Sequence, residues 1–96
     1  MIALLLMLAH GQETVRDRVN AQPWRVIAFI ERRADCNHWG GEEPYDAERR
    51  REIEKNVRDL RCVSVDRDER RLRKRYRNMP AVLAILDETA DLPGID

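Results

Sequence analysis

Apolar side chains are unevenly spread along this chain. Met1 to Ala9 (MIALLLMLA) is an unbroken apolar run, and beyond it apolar residues recur as narrow stripes between charged ones. From Pro23 onward, Trp24, Ile27 and Ala28 with Val26, Phe29 and Ile30 give the broad apolar face of a helix. Asn20 or Gln22 precedes it, and Pro23 stands at a first-turn position that tolerates a missing N–H. That helix is predicted to stop at Gly40-Gly41, where glycine can take positive φ. Glu13 to Asn20 is expected to form an earlier, weakly held turn. Asp46 is a good N-cap for a second helix through Arg61, with Ile53, Val57 and Leu60 on a thin stripe at i, i+4, i+7. Asp66-Arg67-Asp68-Glu69 reads as a capping box for a third helix, in which Val65, Leu72, Tyr76 and Met79 share one face. Pro80 ends that helix and opens a fourth, to about Thr89, carrying Val82, Leu83, Ile85 and Leu86. Leu92-Pro93-Gly94 then closes the chain with a loose acidic tail. No strand-like alternation and no internal repeat interrupts this reading. The expected fold is therefore all-α: a small bundle of three to four short helices closed by one disulfide.

Composition narrows the picture. With 96 residues there is room for one small core. Charged residues make up 38% and mean hydropathy is -0.67, so burial must be confined to the stripes. The 18 basic and 18 acidic residues cancel, which gives no net field toward nucleic acid or an anionic membrane. All basic residues except Lys55 and Lys74 are arginines, a bias that a GC-rich genome explains. The apolar run followed by Ala9-His10-Gly11-Gln12 has small residues where a signal peptidase inspects the chain, so residues 1–11 read as a cleavable secretory signal and 12–96 as a single small helical domain. The run is short and no basic residue precedes it. Nine apolar residues cover roughly 14 Å at 1.5 Å each, too little to span a bilayer.

Cys36 and Cys62 are the only cysteines. In an oxidising compartment, an even pair in so small a chain is expected to form a bridge. The bridge requires the two Cα atoms to approach within about 7 Å, although a helix roughly 24 Å long lies between them. The connection Asn37 to Tyr45 is then expected to be an extended strap running along the domain at about 3.4 Å per residue. It would carry His38, Trp39, Glu42, Glu43 and Tyr45, with Trp39 covering the disulfide.

The chemistry-bearing groups fall short of an active site. Cys36, His38 and Cys62 could supply three metal ligands, but structural zinc wants four, so no metal or other cofactor is expected. A Cys–His nucleophile would need a free thiolate and an orienting group. Glu42 and Glu43 are adjacent on the strap and would point to opposite sides, unlike a glycosidase pair; compensation of the helix dipole explains them, with Glu48. Asp66-x-Asp68 begins like a calcium loop, but Arg70 and Arg71 stand where oxygen ligands and glycine would be needed. Arg70, Arg71, Arg73, Lys74, Arg75 and Arg77 make the third helix basic; they are expected to pair with acidic neighbours within the chain.

Cys36-Asn37-His38-Trp39-Gly40-Gly41-Glu42-Glu43-Pro44-Tyr45-Asp46, followed by Arg61-Cys62 and by Asp68, Leu72 and Tyr76, resembles a group of short exported bacterial proteins of unknown function, over about Trp24 to Leu86. A Cys followed by Asp, Leu and Tyr along one helix is more distantly similar to the helical hairpin of periplasmic lysozyme-inhibitor-like proteins, which carry more cysteines at other spacings. These resemblances imply an envelope interaction protein and supply no catalytic residue. The reading is thus a periplasmic or secreted module that is not an enzyme. It would bind a protein partner through Trp39, Glu42, Glu43 and Tyr45, and would inhibit or stabilise an envelope enzyme. The alternative is a cytoplasmic nucleic-acid-binding or regulatory protein using the Arg-rich third helix.

Overall fold

A computed structural model describes residues 13–95, and the expected signal over 1–11 lies outside them. The described residues form five α-helices and one 3-10 turn, with no strand. In chain order these are α1 (Val15–Asn20), α2 (Trp24–Gly40), α3 (Ala47–Asp59), the 3-10 turn Cys62–Ser64, α4 (Val65–Arg75) and α5 (Pro80–Glu88). None of these helices is long and apolar enough to cross a membrane.

The core is built on α2. Its Val26, Phe29, Ile30 and Ala34 are buried against Val19 of α1, Val82, Ile85 and Leu86 of α5, and Ile95. Val65, Leu72 and Tyr76 of α4 pack on the edge of this cluster. Residues 15–20 are therefore more than a weakly held turn. Thr14 Oγ accepts from the Asp17 N–H while Asp17 reaches back to the Thr14 N–H, a reciprocal cap, and Val19 is fully buried. The tail is not loose either: Ile95 is buried and Asn37 Nδ2 donates to the carbonyls of Ala90 and Leu92, both at 3.0 Å.

Of the four predicted helix starts, α2 begins at Trp24 with Pro23 as its N-cap rather than inside its first turn, and two more follow their signals. The Asp46 carboxylate accepts from the Arg49 N–H at 2.7 Å, and Pro80 opens α5. The third helix differs, because Ser64 precedes α4 and no side chain caps it. Asp66 and Asp68 fall inside its first turn, so the expected capping box does not form. Met79 leaves the buried stripe and is 43% exposed, since the chain turns out of the helix after Arg75. Trp24 also departs from the core face, at 69% exposure.

Cys36 and Cys62 are joined by a disulfide with a Cα–Cα distance of 5.6 Å. The connection between them differs from the expected strap. α2 continues through Asn37, His38 and Trp39 to Gly40, and only residues 41–46 connect it to α3. The helix pattern persists because Asn37 is anchored on the tail. Gly41 takes φ -89 rather than positive φ; its glycine suits a close approach instead, since a Cβ there would lie 3.3 Å from the Asn37 carbonyl oxygen.

α3 contributes no buried residue to the core. Its far end is held to α2 by the disulfide and by Arg32, whose guanidinium donates to the carbonyls of Leu60 (2.7 Å) and Arg61 (2.8 Å), to Ser64 Oγ (3.0 Å) and to Asp68 (2.9 Å). Arg32 and Cys36 are four residues apart, so one face of α2 makes both contacts with the same corner. Arg33 and Asn37 repeat that spacing toward α5. Arg33 is buried and donates to Glu69 (2.7 Å), the Leu86 carbonyl (2.7 Å) and Thr89 Oγ (3.0 Å).

Candidate functional site

Two of the four expected site residues, Trp39 and Glu42, meet where α2 ends and α3 begins, and Arg49 holds them together. From the first turn of α3, its guanidinium reaches Glu42 at 3.3 Å and Glu52 at 3.1 Å and lies 5.1 Å from the centre of the Trp39 ring. The hydrogen bonds from Arg49 to Glu52 and then Glu42 hold its guanidinium above its ordinary pKa. His38 Nε2 lies 3.5 Å from the other oxygen of Glu42, and its ring meets Trp39 edge-on at 5.3 Å. The Glu42 carboxylate thus lies between Arg49 of α3 and His38 at the end of α2, and the half-buried indole of Trp39 has the Arg49 guanidinium and the His38 ring as neighbours. Trp39 forms part of this outer staple rather than of the main core.

Glu43, Pro44 and Tyr45 stand outside it. All three are exposed, Tyr45 at 81%. The backbone beneath them is fixed on either side: the Glu42 N–H donates to the Trp39 carbonyl at 3.3 Å, and Asp46 caps α3. Of the four expected partner-binding residues, the fold therefore draws Trp39 and Glu42 into an internal cluster and presents Glu43 and Tyr45 outward. The thiol readings of Cys36 and Cys62 have no basis here, because both sulfurs are in the disulfide.

The basic third helix, now α4, departs from the expectation of internal pairing. Among the described residues, only Arg73 of the six expected cations in and just past α4 reaches carboxylates, Glu69 at 2.9 Å and Asp87 at 2.6 Å. Arg70, Arg71, Lys74, Arg75 and Arg77 are exposed. Two of the three acidic residues of the same helix turn toward α2: Asp68 binds Arg32 and also Arg67, and Glu69 binds Arg33 and Arg73, while Asp66 is exposed. Burial pushes both carboxyls up, but these hydrogen bonds outweigh it and hold both below the ordinary carboxylate range.

Arg32, Arg33, Asn37 and Arg49 were not singled out from the sequence. One signal was present for Arg33 and Asn37: they continue the Val26, Phe29, Ile30 stripe at helical spacing, where a core-facing position calls for an apolar residue. A polar group there must find buried acceptors. Compared with protein-family models, curated proteins and solved structures, the chain matches none.

Proposed function

We propose that the chain is an exported helical module that captures a protein partner of the cell envelope at the corner formed by Glu43, Pro44 and Tyr45, and thereby inhibits or stabilises an envelope enzyme. The observation that carries this reading is Tyr45, an aromatic 81% exposed on a connection anchored at both flanks. A backbone anchored at both flanks leaves only the side chain of Tyr45 to be ordered on binding, and aromatic anchors are enriched among residues that dominate interfaces. Glu43 beside it would set charge preference. The Cys36–Cys62 bond is compatible with an oxidising compartment, which supports export.

Fractionation of a C-terminally tagged chain, with the mature N-terminus read by mass spectrometry, tests export. A photo-crosslinking amino acid at position 45 tests the corner, with the same probe at exposed Arg50 as a control. A discrete adduct at 45 that is lost in Glu43→Lys, with an unchanged melting temperature, is expected. Equal labelling at positions 45 and 50, or a cytoplasmic chain with free thiols, would overturn the reading.

A further inference from the structure

Although the formal net charge is zero, α4 is electrically polarised across its axis. Arg67, Arg70, Arg71 and Lys74 recur at i, i+3, i+4 and i+7, which places them on one face, opposite Val65, Leu72 and Tyr76. All four are exposed, and Arg75 and Arg77 extend the cationic surface at its end. Asp68 and Glu69 are paired on the inner side with arginines of α2, Asp68 also meets Arg67 at 3.3 Å, and Asp87 on α5 is taken by Arg73. Asp66, in the first turn, is the one exposed carboxylate of the helix itself. Arg32, Arg33 and Arg73 thus take up most of the acidic charge that would otherwise offset the outer face, and Arg70, Arg71 and Lys74 meet no carboxylate among the described residues. Exposed apolar side chains flank the stripe along the chain: Val63, in the 3-10 turn before the helix, is 97% exposed, and Met79, past its end, is 43% exposed.

We propose that this face of α4 is a docking surface for an anionic phospholipid bilayer, with the cations on the headgroup phosphates and Val63 and Met79 entering the headgroup boundary. Charge complementarity selects a polyanion, and the apolar ends select one with an apolar interior. A nucleic-acid backbone offers nothing to Val63 and Met79. The helix lies on the surface and spans nothing, as a basic face flanked by apolar contacts does. Each cation near an anionic bilayer strengthens partition about fivefold. This surface is distinct from the Tyr45 corner and does not depend on the partner proposed there.

The test is co-sedimentation of the oxidised full chain with vesicles of phosphatidylcholine alone and of phosphatidylcholine mixed with phosphatidylglycerol. Arg70→Glu/Arg71→Glu/Lys74→Glu is compared with Arg50→Glu/Arg51→Glu/Arg58→Glu, an equal charge change on exposed residues of α3. Both variants keep the apolar N-terminal run, so any contribution from it is common to them. Binding confined to the anionic vesicles, weakened by salt and reduced at least about a hundredfold in the α4 variant alone, is expected; Val63→Ser should weaken it severalfold. Circular dichroism melts establish that each variant is folded. Equal loss in the two triple variants, equal binding to neutral vesicles, or tighter binding to duplex DNA than to the anionic vesicles would overturn the proposal. So would displacement by millimolar inorganic phosphate, which would identify a single-phosphate site instead of a headgroup array.

Discussion

Arg33 is a cation inside an apolar cluster, and its surroundings decide whether that is tolerable. Its guanidinium satisfies three acceptors on α4, α5 and the turn after α5, and it lies 5.2 Å from the Phe29 ring centre. Removing one partner of such a buried pair commonly costs about 3–5 kcal/mol, because the others are left uncompensated. Arg33→Ala should lower stability by that amount in urea titrations. Arg33→Lys should recover less than half, since an ammonium cannot reproduce the planar fork. The same network gives an acid limb to the stability. Glu69 and Asp68 have folded-state pKa values below their unfolded ones. Their contribution is therefore complete above the unfolded value, near 4, and is lost as pH falls through the folded value. Urea midpoints should be flat from neutral pH to about 5 and fall below it. Glu69→Gln should be weaker at neutral pH and show a shallower acid limb; an unchanged limb would mean that Glu69 is not held in its charged form.

At the scale of elements, local patterns carried what local physics determines. The α2 stripe, the Asp46 cap and Pro80 each place a helix end through bonds within a few residues, and all three were legible. The start of α4 was not, because it depends on a contact made across the fold. Arg61 has φ 54, the left-handed region, and the 3-10 turn follows it; its carbonyl accepts from Arg32, and also from Ser64. A local capping box loses to that tertiary grip. The candidate site was legible in the same measure: its location between Cys36 and Asp46 could be read, but the inward turn of Trp39 and Glu42 required Arg49, which no motif marked. The left-handed residue makes a test of its own. A side chain in that conformation costs roughly 1–2 kcal/mol, which glycine avoids while losing some of the gain to unfolded-state entropy. Arg61→Gly should therefore leave the melting temperature unchanged or raise it slightly. Arg61→Val, with a branched Cβ crowding the same conformation, should lower stability by about 1–2 kcal/mol.

For the whole molecule the disulfide matters because α3 has no buried stripe of its own. At one end α3 is tied by the Arg49 cluster, which is exposed enough that its ion pairs contribute modestly. At the other it is tied by Arg32 and by the bond between Cys36 and Cys62, separated by 26 residues. Closing a loop of that length stabilises the folded state by about 3–4 kcal/mol on the chain-entropy model. A domain this small holds only a few kcal/mol in total from its core. Reduction should accordingly lower the melting temperature by roughly 12–32 °C, at 4–8 °C per kcal/mol. It should act on α3 first, with amide hydrogens of Ala47–Asp59 exchanging faster while those of α2 and α5 stay protected. Hydrogen exchange of the oxidised and reduced chains, with Cys36→Ala/Cys62→Ala as a chemically inert reference, reads both effects. If the reduced chain keeps its melting temperature and α3 its protection, Arg32 alone holds the corner, and the bridge has no bearing on where the protein folds. If α3 is released, the exposed Tyr45 loses one of its two anchored flanks, and the integrity of the proposed partner corner depends on an oxidising compartment.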